Sequence, residues 1–321
     1  MTTLDPSLDL FDEIERLKTE RKAIIFAHYY QDPDIQDLAD RLGDSLDLAR
    51  AAKAAQDVEV ILFCVVHFMA ETAKLLNPEK TVILPDLDAG CSLADSCPGD
   101  QLAAFRKQNP DHFIITYINC SAEAKAQSDV ICTSSNAEQV IASAPEDRPI
   151  LFAPDQNLGA WLAEKTGREM TLWPGSCMVH VTFSERKILD LKMRHTGATF
   201  IAHPECEPHI LRHADFVGST SKLIAYVRES EDQTIIVGTE TGILHTMRKS
   251  APTKNLLEVP VDNSAACEGC NQCPHMKLNT LEKIYMALHD LSPRIEIDEE
   301  LRAAAARPLE RMLEISESAR I

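Results

Sequence analysis

With 321 residues, 45 % of them apolar, the chain has room for a sizeable core and roughly two or three compact domains. Its formal net charge of −18 disfavours nucleic acid and anionic membranes as partners, because both reward Lys and Arg, and no run of about 18 apolar residues marks a membrane span. Small anionic substrates stay compatible with this charge, since backbone N–H groups, hydroxyls and His at helix N-termini can hold them.

The first element, within residues 1–21, reads as an acidic amphipathic helix. Its segment LDPSLDLFDEIERLKTERK lacks the basic start and apolar stretch of a signal peptide, so the expected location is the cytoplasm. The ten cysteines then meet a reducing compartment, where clustered thiols suggest metal or redox chemistry more than structural disulfides.

Strand-like apolar runs follow, separated by helical stretches: AIIFAHYY, VEVILFCVV and TVILP, then HFIITYIN, DVICTSS, PILFAP and EMTLWP, then ATFIAHPE, TIIVGT and NLLEVP. Such alternation predicts parallel α/β architecture. The order of features repeats. A first run ends in AHYY (27–30), TYIN (116–119) or AHPE (202–205), and a second ends in a hydroxyl cluster, GDS (43–45), TSSN (133–136) or GSTS (218–221). His28 to Ser45, Tyr117 to Ser134 and His203 to Thr220 are each 17 residues apart. A third run is centred on Phe63, Phe152 or Val237, and a fourth ends at Pro85, Pro174 or Pro260, each time ahead of a cysteine-bearing loop. The expected organisation is three similar units at 22–109, 110–195 and 196–292, followed by a helical tail at 293–321. A compact arrangement around a centre fits better than a solenoid, because the units share few identical residues.

Ligands in parallel α/β units gather beyond the carboxyl ends of the strands. His28, Tyr30, Ser45, Tyr117, Asn119, Ser134, His203, Glu205 and Thr220 all stand at such ends, so three units facing one axis would converge them. Among the cysteines, Cys91 in AGCSLAD and Cys177 in WPGSCMVH follow a strand, a turn and a Gly, a plausible exposed loop position. Cys64, Cys120, Cys132 and Cys206 lie in or beside strands and read as small buried thiols, while Cys97 carries no clear signal. The triple Cys267, Cys270, Cys273 begins like a ferredoxin motif, but Lys277 stands where its fourth Cys belongs, and no second CxxC pair completes a zinc ribbon. An arrangement drawing thiolates from separate loops remains. Three of them would leave one iron of a [4Fe–4S] cluster free to act as a Lewis acid, which favours dehydration or condensation over electron transfer. A zinc-dependent lyase lacks HExxH, and a nucleotide-binding protein lacks GxGxxG and GxxxxGK[ST].

The motifs AHYYQ, GDSLDLA, HFMAE, AGCSLAD, TYINCSA, TSSNA, PDQNLG, WPGSCMVH, HPEC, GSTS, VGTETGILH and CxxCxxCPHM resemble the quinolinate synthase A family from about residue 22 to about residue 290. The resemblance implies three similar α/β/α domains, each with a small parallel sheet, in pseudo-threefold arrangement around a central [4Fe–4S] cluster. It implies condensation of iminoaspartate with dihydroxyacetone phosphate to quinolinate, phosphate and water on the route to NAD. An aspartate-oxidising enzyme is the implied candidate source of iminoaspartate. The implied cluster ligands are Cys91, Cys177 and Cys273; Cys267 and Cys270 are then spare, and the sequence permits a disulfide between them. His28, Tyr30 and Ser45 match residues holding substrate carboxylates and the reacting hydroxyl, and Tyr117 and Asn119 a clamp on the ring-forming intermediate. Ser134, His203, Ser219 and Thr220 match carboxylate or phosphate contacts, and His180 is a substrate contact or a packing histidine. Glu205, whose pKa a neighbouring cluster and an anionic substrate can raise towards neutrality, is the candidate general base, and Tyr30 and His203 are its catalytic neighbours. Phe68 and Met69 wall the pocket or belong to ordinary core.

Overall fold

The computed structural model describes residues 8–261 and 271–318, so Cys267 and Cys270 lie outside the described residues. Among the described residues, twelve strands form three four-stranded sheets. The first contains β1 (Ala23–His28), β2 (Arg41–Gly43), β3 (Val60–Cys64) and β4 (Thr81–Ile83). The second contains β5 (Phe113–Tyr117), β6 (Val130–Cys132), β7 (Ile150–Ala153) and β8 (Met170–Leu172). The third contains β9 (Thr199–Ala202), β10 (Phe216–Val217), β11 (Thr234–Gly238) and β12 (Asn255–Glu258). Every sheet has the same spatial order, second strand, first, third, fourth, and all pairings are parallel. Parallel neighbours require crossovers, and helices between consecutive strands supply them. Three α/β/α units of one topology are therefore present.

The register explains the repeated spacing. His28 pairs with Gly43, Tyr117 with Cys132 and Ala202 with Val217, so each first-strand residue sits beside the residue fifteen further on. The polar residue ending the first strand thus has the hydroxyl-bearing turn after the second strand next to it. One aspartate per unit pins this register. Asp40, Asp129 and Asp215 accept the backbone N–H of Ile25, Ile114 and Phe200 on a side-chain oxygen, each at 2.8 Å. Each aspartate also returns its own N–H to the same residue's carbonyl, at 2.9, 2.9 and 2.7 Å. The short edge strands β2, β6 and β10 each begin directly after one of these aspartates.

The central strands are packed on both faces: β3, β5 and β7 are buried throughout, with Phe63 and Phe152 at 1 % and 0 % exposure. The N-terminal helix Leu10–Glu20 buries Ile14 and Leu17 with Ile284 and Leu288 of the helix Leu281–Asp290. The last helix, Glu299–Ser318, buries Leu309, Met312 and Leu313 in the core shared by the first two sheets. No helix among the described residues is long and apolar enough to cross a membrane.

Candidate active site

The carboxyl ends of the three sheets open onto one cavity of about 80 Å³. His28, Tyr30 and Ser45 reach it from the first unit, Tyr117, Asn119, Ser134 and His180 from the second, and His203, Glu205 and Thr220 from the third. Phe68 and Met69 line it as well. Ser219 is not among its lining residues: fully buried, it caps the helix Thr220–Glu229 by accepting the Lys222 N–H at 3.4 Å.

Glu205 is the electrostatic centre. The Tyr117 hydroxyl donates to its Oε1 at 2.6 Å, and the Nδ1 atoms of His180 and His203 lie 3.1 and 3.8 Å from its two oxygens. Burial raises the pKa of this carboxyl, but the His180 and His203 imidazoles and the Tyr117 hydroxyl outweigh burial and bring it down to about 2. This lowering is the work of protein partners alone, whereas the rise towards neutrality is the expectation for a carboxylate beside a cluster and an anionic substrate. Two imidazoles and two phenols nearby are held neutral. Burial pushes His28 and His203 down to about 4 and the Tyr30 and Tyr117 phenols well above 10. His203 Nε2 lies 3.3 Å from Ser134 Oγ, within hydrogen-bond reach. Asn119 Oδ1 is buried without a partner, an acceptor left for a donor inside the cavity.

Just past β11, Thr239 stands behind this wall and Glu240 forms part of it. Thr239 Oγ1 joins the Tyr30 hydroxyl at 2.6 Å to His180 Nε2 at 2.9 Å. Glu240 lines the cavity and accepts the Gly242 N–H at 2.6 Å and the Cys273 N–H at 3.1 Å. Burial raises its pKa to about 7 against the pull of Lys277. Both residues were findable, since the rule placing sites at strand ends applies to third strands as much as to the first two.

Cys91, Cys177 and Cys273 also line the cavity, one from each unit. Burial pushes the Cys91 thiol up to about 12, the Cys177 thiol well above 9 and the Cys273 thiol upward, so they are protonated unless a cation is present. Cys64, Cys97, Cys120, Cys132 and Cys206 are fully buried free thiols. Cys177, His180 and Glu205 form a group whose ligand atoms lie within 4.8 Å of one another and could hold a metal ion.

A triple α/β protein with thiols, imidazoles, phenols and carboxylates around a central cavity has the form of an enzyme whose centre could hold a metal. The family model for the quinolinate synthetase A protein matches residues 12–314. The chain is 58 % identical over 308 residues to the quinolinate synthase of Gloeothece citriformis (strain PCC 7424), covering 96 % of this chain and 94 % of that protein. It is 57 % identical over 309 residues to the quinolinate synthase of Chloroherpeton thalassium (strain ATCC 35110 / GB-78), covering 96 % and 95 %. The chain belongs to the quinolinate synthetase A family.

Proposed function

We propose that the protein is a cytoplasmic quinolinate synthase of NAD biosynthesis, condensing iminoaspartate with dihydroxyacetone phosphate to give quinolinate, phosphate and water. The observation that carries this reading is that one cysteine from each unit lines the same cavity as the Tyr117–Glu205 pair. Three soft donors whose thiols stay protonated without a cation suit an iron–sulfur cluster, since metal binding is what ionises buried cysteines. Bound by Cys91, Cys177 and Cys273, a [4Fe–4S] cluster would supply an open iron as a Lewis acid towards a departing hydroxyl.

The remaining chemistry belongs to the chain. Ser45 and Thr220 begin the helices Ser45–Ala54 and Thr220–Glu229; Asp44 and Ser219 take the N–H groups of Leu46, Asp47 and Lys222, so the hydroxyls of Ser45 and Thr220 and the helix dipoles are what favour a carboxylate or phosphate here. Ser134 and neutral His203 add hydrogen-bonding groups to the same end of the cavity. Asn119 offers its unpartnered Oδ1 to an imine or amine N–H. Ionised Glu205 is in the state a proton acceptor requires, and Tyr30, joined through Thr239 to His180, is placed to pass a proton to a leaving hydroxyl. Phe68 and Met69, at 4 % and 3 % exposure, close the wall against water. An aspartate-oxidising enzyme is the source of iminoaspartate in this scheme.

The test is an anaerobic assay for quinolinate from enzymatically generated iminoaspartate and dihydroxyacetone phosphate. Product is expected only with iron-loaded protein, and Cys91→Ala, Cys177→Ala or Cys273→Ala should each lose stable iron. Full iron content in any of these three would remove that residue from the ligand set, and no product from loaded protein would overturn the reaction.

A further inference from the structure

Three side chains at one edge of the cavity have the arrangement of a second kind of metal site. Cys177 Sγ, a ring nitrogen of His180 and a carboxylate oxygen of Glu205 lie within 4.8 Å of one another. His180 and Glu205 are almost fully enclosed, at 2 % and 4 % exposure. His180 Nδ1 is buried without a hydrogen-bond partner, although Glu205 Oε2 is 3.1 Å away. The opposite ring nitrogen, Nε2, bonds Thr239 Oγ1 at 2.9 Å, and the opposite carboxylate oxygen, Oε1, takes the Tyr117 hydroxyl at 2.6 Å. Each group therefore has its outer atom tied, and the two inner atoms face each other. Ligating His and carboxylate groups divide their bonds in this way, the outer bond fixing tautomer and direction. With its proton on Nδ1 the His180 ring holds the Glu205 anion; with that proton moved to Nε2, towards Thr239, a cation can take its place between Nδ1 and Oε2 and bond to both.

We propose that the cluster-free protein binds one borderline-soft divalent cation, with Zn²⁺ the best fit, through Cys177 Sγ, His180 Nδ1 and Glu205 Oε2, leaving a fourth position open to the cavity. One thiolate, one imidazole and one carboxylate suit zinc, whereas Mg²⁺ and Ca²⁺ require shells of oxygens. Binding breaks the Cys177 S–H bond and forms an S–Zn bond, and the proton leaves to solvent. The site itself does not depend on the reaction proposed above. Its consequence does rest on that reading: Cys177 is also a proposed cluster ligand, so zinc and cluster exclude each other, and zinc holds the protein in a form that cannot take up iron and sulfide. The competing arrangement is zinc on the cysteine triad, and sulfur count separates the two.

The experiment titrates the full-length, cluster-free protein with Co²⁺ under anaerobic conditions, then displaces it with Zn²⁺. One equivalent should bind, with the ligand-field bands of a tetrahedral ion and charge transfer from a single thiolate. Cys177→Ser, His180→Ala and Glu205→Gln should each lose this spectrum, while Cys91→Ser and Cys273→Ser keep it. Thr239→Val should weaken binding about 10- to 100-fold, the usual effect of losing an outer-shell partner. X-ray absorption of the unsubstituted zinc-loaded protein makes the test independent of how the variants fold: one sulfur with nitrogen or oxygen ligands is expected. A three-sulfur shell, loss of the spectrum in Cys91→Ser or Cys273→Ser, or no binding at all would overturn the site. Unimpaired iron and sulfide uptake by zinc-loaded protein with a one-sulfur shell would overturn the competition alone.

Discussion

Glu205 shows how far a single residue's chemistry depends on partners remote in sequence. Its neighbour His203 and the strand-end position were visible in AHPE, and so was the direction of its side chain, because residues two apart on an extended segment share a face. The hydrogen bond from Tyr117, 88 residues away, and the approach of His180 were not, and these decide its charge. Glu205→Gln keeps the shape and an acceptor for the Tyr117 hydroxyl but removes the anion. Turnover of iron-loaded protein is expected to fall by about 10²-fold or more, the usual scale for a lost acid–base group, with iron content unchanged. Near-normal turnover in a fully loaded variant would move the proton-transfer role to Tyr30 or to His203, which is neutral and so also able to accept a proton.

At the scale of elements, the long buried strands were legible because runs such as VEVILFCVV and HFIITYIN are apolar on both faces. β2 and β10 were not legible as strands. They are edge pieces of three and two residues, with Arg41 exposed and Phe216 only half-buried, so they were placed by the hydroxyl clusters behind them. The pinning aspartates Asp40, Asp129 and Asp215 carry no apolar signal at all and emerge only from the register. The loop carrying Cys177 is likewise set by contacts across units. Trp173 Nε1 donates to the Ser96 carbonyl at 2.8 Å and the Met178 N–H to Ser92 Oγ at 3.2 Å, which ties this loop to the one carrying Cys91. Gly175 is what lets the two close up, since a Cβ there would stand 2.2 Å from Ser96 Oγ and 2.5 Å from the Pro154 carbonyl. The hydroxyl can rotate aside, but the carbonyl is backbone and cannot. Gly175→Ala should therefore cost roughly 1–3 kcal/mol, the range for an overpacked site. A lower melting temperature and less iron per chain after reconstitution are expected; unchanged values in both would show that the loop accommodates the methyl.

Across the whole molecule, the three units are joined at the cavity's rim by one carboxylate. Asp44 Oδ1 caps the helix Ser45–Ala54 by accepting the N–H groups of Leu46 and Asp47, each at 3.0 Å. Its Oδ2 accepts Ser135 Oγ of the second unit at 2.6 Å and Ser221 Oγ of the third at 2.8 Å. These three residues stand beside Ser45, Ser134 and Thr220, the cavity-lining hydroxyls of the repeated clusters. The spacing along the chain foretold that these clusters would converge, but not that the first would bind the other two, because equivalent positions in the units carry Asp in one and hydroxyls in the others. Bonds to a charged acceptor contribute about 1.5–3 kcal/mol each and a helix cap about 1 kcal/mol. Asp44→Ala should then lower stability by roughly 2–4 kcal/mol, less than the full sum because the buried charge and its desolvation cost leave together. Ser135→Ala in the unsubstituted protein should lower it measurably, while Ser135→Ala added to Asp44→Ala should add almost nothing, since the shared bond is already gone. The same loosening should raise KM for the proposed phosphate-bearing substrate more than it lowers kcat, because the residues displaced are those proposed to hold the anion. Denaturant midpoints of the two single variants and the double variant decide the matter: additive losses would mean that Asp44 and Ser135 act separately and that the units are held together by their apolar cores alone.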